Sequence, residues 1–323
     1  MTTTAAPRAG GLAIALVSAF AFALSGPLAK PLMDSGWAAG SAVLVRIGIS
    51  ALIMLIPTAV IVARSRGQVL RANWRFLVGY GLFPIAGAQL GFFSAIRTLP
   101  VGVALLIEYL APVLVVVWLW LRRGQAPTWL TVAGAATSMV GLVLVLNLTG
   151  DTVLDPTGVA WALFASACLC VYFILSATVV EDLSPVVVIG SGFIVGFFAL
   201  AGLGLVGLLP MSFLADDGQL NGVILPWWAF AGMLVVVATV FAYLTGIAAA
   251  RRLGPRLASF VALAEVVFAA TVSWLVLDQV PTVLQLLGGI LIIGGVVLVR
   301  LGERPIDVIV DSTRPEPSDQ AAV

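Results

Sequence analysis

The chain has 323 residues, of which 61% are apolar and 10% charged, with 16 Lys and Arg against 15 Asp and Glu. Soluble domains carry roughly 25% charged residues, so this composition excludes a water-soluble surface, and a net charge of +1 gives no argument for nucleic acid. There is no histidine, which removes the usual metal ligand and any histidine proton relay.

Ten apolar runs fill residues 10 to 301, each close to the 20 or so residues that a helix needs to cross the hydrocarbon core. In chain order they are expected near Gly10 to Ala29, Trp37 to Ala63, Trp74 to Ile96, Val101 to Leu121 and Pro127 to Asn147. The second five lie near Pro156 to Val180, Pro185 to Leu208, Leu225 to Ala250, Arg256 to Leu277 and Pro281 to Arg300. The interruptions are short and polar or proline-marked, leaving no room for a soluble domain. The first run resembles a signal peptide, with Ala21-Phe22-Ala23 as a cleavage site. Its opening Gly11-Leu12-Ala13-Ile14-Ala15-Leu16 has a counterpart in Gly158-Val159-Ala160-Trp161-Ala162-Leu163, so an uncleaved first helix is expected.

Runs six to ten replay runs one to five. Laying Pro127 on Pro281 aligns Arg97 with Arg251, Leu99 with Leu253, Trp120 with Trp274, Gln125 with Gln279, Gly134 with Gly288 and Gly141 with Gly295. Five spans is an odd number, so the copies run antiparallel across the membrane. The expected fold is an all-α membrane protein of ten transmembrane helices in two inverted five-helix repeats, residues 10–147 and 156–301, around one central cavity. With the N-terminus inside, Arg64, Arg66, Arg71, Arg122, Arg123, Arg252 and Arg300 all face the cytoplasm, which places residues 1–9 and the 302–323 tail there. The tail, with Pro305, Pro315 and Pro317, lacks an apolar face and is expected to be disordered.

Three ionisable groups lie away from the helix ends: Arg46, Glu108 and Glu265. Arg46 and Glu108 fall roughly 10 to 14 Å from the outer ends of their spans, and Glu265 a similar distance from the inner end of its own. A charge at the bilayer centre costs at least about 2.5 to 3.5 kcal/mol, so each should face a cavity or a partner. Arg46 suits a carboxylate or phosphate. Glu108 and Glu265 suit a substrate amine or a transported proton. Two plainer readings stand beside these: a structural Arg46–Glu108 ion pair joining the second and fourth spans, or Arg46 snorkelling to the surface. Glu265 has no obvious cationic partner at its depth.

Gln89, Ser94, Tyr109, Tyr172 and Tyr243 are candidates for cavity lining, against the plainer reading that each bridges neighbouring helices. Pro27, Pro84 and Pro112 lie inside spans, and a kink at Pro112 would free carbonyls toward the cavity one turn from Glu108. The glycine faces Gly134 with Gly141 and Gly288 with Gly295 fit packing within the chain or a homodimer contact. Trp74, Trp129, Trp227 and Trp228 at span ends read as an aromatic belt. Cys168 and Cys170 point about 200° apart on a helix and read as buried thiols. No phosphate-binding, zinc-protease or nucleophile-elbow motif is present, so neither an enzyme nor a self-contained ATP-driven pump is expected, and no cofactor or metal.

The chain resembles the EamA-like branch of the drug/metabolite transporter superfamily. Arg97-Thr98-Leu99-Pro100 with Glu108-Tyr109-Leu110-Ala111-Pro112, and Arg251-Arg252-Leu253-Gly254 with Ala264-Glu265-Val266, carry the resemblance, completed by the paired glycine-rich fifth helices. It is most similar to exporters of the threonine/homoserine type. The Glu-Pro or Gly-Pro often found midway in each repeat's fourth helix is absent, since Pro112 follows alanine and Glu265 precedes valine. The resemblance implies a secondary transporter in a bacterial inner membrane that moves a small polar metabolite by alternating access, with proton-coupled amino-acid export as the expected activity. A lipid-linked substrate flippase and a non-transporting membrane scaffold are the alternatives.

Overall fold

In a computed structural model the described residues are 5–99, 101–146, 155–178, 183–214, 216–220, 223–277 and 280–303. The tail expected to be disordered lies from residue 304 onward, outside them. Ten helical spans cross the molecule: α1 (Gly10–Asp34), α2 (Ala39–Arg64), α3 (Gln68–Ala95), α4 (Val101–Arg123) and α5 (Trp129–Leu146), then α6 (Pro156–Ala177), α7 (Pro185–Leu205), α8 (Trp227–Leu253), α9 (Pro255–Leu275) and α10 (Val283–Gly302). Proline opens α6, α7 and α9, where a missing N–H costs nothing. The Asp155 carboxylate caps α6 by accepting from Thr157 N at 2.7 Å and Gly158 N at 3.1 Å. A capping box between Thr282 and Gln285 starts α10. A two-stranded antiparallel hairpin, β1 (Gly218–Leu220) and β2 (Val223–Leu225), lies between α7 and α8.

The packing follows the duplication. Equivalent helices pair with each other: α2 lies on α7, and α5 lies on α10 in the most extensive helix contact of the molecule. The first helix of each repeat is given to the other repeat, α1 packing on α8 and α9, and α6 on α3 and α4. At the α5–α10 contact a Cβ on Gly134 would lie 2.6 Å from the Gly295 carbonyl oxygen, and one on Gly141 2.6 Å from that of Gly288. The earlier glycine of one helix meets the later glycine of the other, so these equivalent helices run antiparallel, as an inverted repeat requires. Their smooth faces are covered within the chain.

Five spans are interrupted midway, and in the first repeat the cause is local. The first helical segments end at Ala23, Tyr80 and Glu108, and Pro27, Pro84 and Pro112 each stand four residues later. A proline gives no N–H to the carbonyl four residues back, so each helix loses its hydrogen bond there. In α1 the break is a turn at Leu24, in α3 a π-helical stretch Gly81–Gly87, and in α4 a turn at Tyr109 and Leu110. Proline is not sufficient, since α2 continues through Pro57.

The second repeat places its breaks at equivalent positions without prolines. In the register that pairs Pro127 with Pro281, the π-helical stretch Val236–Phe241 of α8 falls on that of α3, and the turn at Leu263 in α9 falls on Tyr109. In α8 the buried Thr239 hydroxyl donates to the Leu234 carbonyl at 2.8 Å, five residues back. A hydroxyl that bonds back to a carbonyl of its own helix competes with the backbone ladder and favours a bend there.

Candidate functional site

The breaks converge on a cavity of about 220 Å³ in the centre of the molecule. It is lined from α1, α2, α3, α4, α6, α8 and α9, while α5, α7 and α10 contribute nothing to it. The volume is below the roughly 300–1,000 Å³ of a drug-sized pocket, so it suits a compact solute.

Arg46, Glu108 and Glu265 all line this cavity, together with Gln89, Tyr109 and Tyr172. Of the other two candidates, Tyr243 is a lining residue and Ser94 is not. Local structure positions the charges. Glu108 is the last residue of the first half of α4, and Glu265 sits in the first turn of the second half of α9. A carboxylate in a first turn is favoured by the free N–H groups there. Pro112 stands in the first turn of the second half of α4, which starts at Ala111, so the kink expected at that residue is a break between Glu108 and Ala111.

Of the readings that the sequence leaves open for Arg46, the structural ion pair with Glu108 is not formed among the described residues. The ion pairs among the described residues are Lys30–Asp34 and Arg256–Glu303, so no Arg46–Glu108 bridge joins α2 to α4. Arg46 lies instead against the Tyr243 side chain and within electrostatic reach of Glu265. Glu265, with no obvious cationic partner in the sequence, therefore has Arg46 within electrostatic reach, although the two form no ion pair. Tyr109 lies against Glu265, and the two carboxylates sense each other's charge. The Arg46 Nε is buried with no hydrogen-bond partner. One guanidinium and two carboxylates thus share a small chamber, with a guanidinium N–H left over.

Aromatic rings form the rest of the wall. Tyr243 contacts Phe22, Tyr172 and Phe193 edge-on at centroid separations of 5.0, 5.7 and 5.3 Å. Behind Tyr172 stands Tyr80, fully buried, 3.1 Å from the Ser176 hydroxyl and 6.3 Å from the Tyr172 ring. Ser176 is one residue from the end of α6, so this cluster lies beyond the Tyr172 wall of the cavity, toward the end of that helix.

Several lining residues carry no distinct signal in the sequence. Ser18, Phe22 and Ser25 of α1 and Phe92 of α3 line the space. The Ser25 hydroxyl is buried without a partner, while Ser18 donates to the Ala242 carbonyl at 2.8 Å. A place beside Gly26-Pro27 in an apolar run is the one hint of Ser25 in the sequence. Cys168 and Cys170 are buried free thiols, and Cys168 packs against Gly87, where a Cβ would lie 2.8 Å from its sulfur. Among the described residues no group of three or more His, Cys, Asp or Glu is arranged to hold a metal ion.

The EamA-like transporter family model matches residues 9–147 and 156–301, the two repeats described above. An uncharacterized inner membrane transporter, YicL of Salmonella typhimurium (strain LT2), is 25% identical over 231 residues, covering 69% of this chain and 73% of that protein. A protein of known crystal structure superposes with a TM-score of 0.70 at 23% identity, over 91% of this chain and 97% of its own, a likeness of fold. The match over both repeats, each carrying broken third and fourth helices that meet at one central chamber, identifies this chain as a member of the EamA-like transporter family.

Proposed function

We propose that the chain is a secondary transporter that moves a small zwitterionic metabolite, an amino acid or a related compound, outward across a bacterial inner membrane in exchange for protons. The observation that carries this reading is the meeting of Arg46, Glu108 and Glu265 in one chamber, with the Arg46 Nε left without a partner. A guanidinium fork takes a carboxylate, and a carboxylate takes an ammonium group or a proton. The aromatic wall of Phe22, Tyr172 and Tyr243 offers an apolar surface to the rest of the solute. The inner-membrane location draws on the family and on the printed name of the Salmonella relative. Cytoplasmic termini draw on the arginines of the loops.

In this mechanism the two repeats rock about the chamber, opening it to one side and then the other. Arg46 holds the solute carboxylate. Glu265 exchanges Arg46 and Tyr109 for the solute ammonium group, and the return step carries a proton on a carboxylate.

The test is counterflow in proteoliposomes with pooled radiolabelled amino acids and metabolites, with and without an imposed pH gradient, alongside Glu265→Gln. Saturable, gradient-driven uptake that Glu265→Gln abolishes is the expected result. Flat traces for every pool with folded protein would overturn it. The lipid-linked flippase gains no support, because the chamber shares no lining residue with the lateral apolar hollow between α2 and α7.

A further inference from the structure

That lateral hollow is itself a built feature, with a volume of about 780 Å³. Its walls come from α2 with Trp37 just before it, α7, the segment after α7 and Trp227 at the start of α8, and no lining residue carries a charge, a hydroxyl or an amide. Small residues on α2 make the space. A Cβ on Gly48 would lie 2.9 Å from the Phe197 ring, which forms the floor. The hollow runs from Trp37, two residues before α2, down to Leu55, and its helical part from Ala39 to Leu55 is about 24 Å long at 1.5 Å per residue. A hydrocarbon core is about 30 Å thick, so it passes through one leaflet and beyond the midplane.

Two observations identify what covers it. First, its rims continue into the outward-facing surfaces of the same two membrane-spanning helices, where Leu52 is 66% and Phe198 69% exposed. Second, one end is framed by aromatic side chains, where the buried Trp37 lies 5.6 Å from both Trp227 and the half-exposed Phe213, and its indole N–H donates to the carbonyl of the exposed Leu214. Tryptophans at the end of a span mark the headgroup level. The hollow therefore has an interfacial mouth and a wholly apolar interior open sideways to the bilayer.

We infer that the groove between α2 and α7 is a binding site for one acyl chain of a membrane phospholipid, entered from the leaflet at the Trp37–Trp227 mouth. Gly48, Leu52 and Leu55 fall about 180° to 240° around α2 from Arg46, at 100° per residue. The chain lies on the back of the helix that presents Arg46 to the central chamber. An occupied groove braces α2 and holds Arg46 in place, so the length of the lipid chains in the bilayer acts on the charged site.

The experiment uses the full chain in liposomes that contain a phosphatidylcholine bearing a photoactivatable diazirine on its acyl chain, with the labelled peptides mapped by mass spectrometry. Labelling of the Leu44–Leu55 and Ile194–Phe198 segments is expected several-fold above that of Ile290, Ile293 and Val297, which face outward on α10 without a groove. Gly48→Leu, which displaces Phe197 into the space, should bring groove labelling down to the α10 level. Leu55→Trp fills the far end from an exposed position and serves where Gly48→Leu fails to fold. Melting temperature should rise with chain length in the native protein and lose that dependence in Leu55→Trp. Even labelling of both surfaces would overturn the inference, as would a groove shielded from lipid and cross-linked to a second copy of the chain.

Discussion

Gly141 of α5 and Gly288 of α10 sit so close that a Cβ on either would lie 2.5–2.6 Å from the other's carbonyl oxygen. No side chain fits there without separating the two helices, because backbone stands in the way. Gly141→Ala should cost about 1–3 kcal/mol, the range for overpacking a well-packed core. Gly294→Ala on α10, whose Cβ would meet nothing within 4 Å, should be neutral. Thermal unfolding in detergent distinguishes the two. An equal effect of both would mean that the α5–α10 contact does not hold the repeats together.

The Tyr80 hydroxyl lies 3.1 Å from the Ser176 hydroxyl, both of them buried behind the Tyr172 ring. Tyr80→Phe removes this bond and costs about 1 kcal/mol. A bond made only while that side is closed shifts the balance between closed and open forms by roughly fivefold when it is lost. Ala249→Cys, a lining position, reports this in a background without Cys168 and Cys170. A membrane-impermeant thiol reagent added on the side where α6 ends should label it faster in Tyr80→Phe. Unchanged labelling would show that the tyrosine cluster does not close the cavity.

Pro112 offers no N–H to the Glu108 carbonyl, and α4 breaks between them. Pro112→Ala restores the donor and should join the two halves of the helix. A proline inside a helix costs about 3 kcal/mol, so the variant should be no less stable than the parent. Straightening α4 turns Tyr109 and Glu108 away from Glu265, and transport should fall by roughly tenfold, the equivalent of one charge-assisted contact of about 1.5 kcal/mol. Full transport with unchanged stability would mean that the break has no part in forming the chamber.

How far the sequence carries can be read from these same positions. The ten spans and the duplication follow from apolar runs and from landmarks such as Pro127 and Pro281, whose spacing survives in the structure. The breaks of the first repeat are legible because Pro27, Pro84 and Pro112 remove hydrogen bonds at fixed distances. Those of α8 and α9 are not, because Ala238 and Val266 stand where the prolines would be, and the Thr239 hydroxyl bond is visible only once the helix is built. Depth along a helix can be counted, so Arg46, Glu108 and Glu265 are foreseen near one level. Their mutual arrangement cannot be counted, since it depends on how the broken helices pack, and the structure sets Arg46 against Tyr243 and within reach of Glu265 with no ion pair to Glu108. Ser25 and Phe92 are not legible in the sequence, because a lone serine or phenylalanine in an apolar helix has the same appearance whether it faces lipid, protein or a cavity.

The charge balance of the chamber gives an asymmetric stability pattern. Arg46 supplies one positive charge, and Glu108 and Glu265 can supply two negative ones in the same small space. Removing Glu108 leaves Arg46 and Glu265 matched and relieves the repulsion between carboxylates. Removing Arg46 leaves the two carboxylates with no cation on the lining, so that one must take up a proton or repel the other, a change that costs about 1–3 kcal/mol. Arg46→Gln should therefore lower the melting temperature by several degrees, while Glu108→Gln leaves it unchanged or raises it. Arg46→Lys keeps the charge and loses the planar fork, so it should restore the stability lost in Arg46→Gln but not the apparent affinity for a carboxylate solute. Equal destabilisation by Arg46→Gln and Glu108→Gln would point back to an Arg46–Glu108 pair. A stable Arg46→Gln would mean that the guanidinium faces water rather than the carboxylates, and the assignment of the chamber as a zwitterion site would lose its anion-binding half.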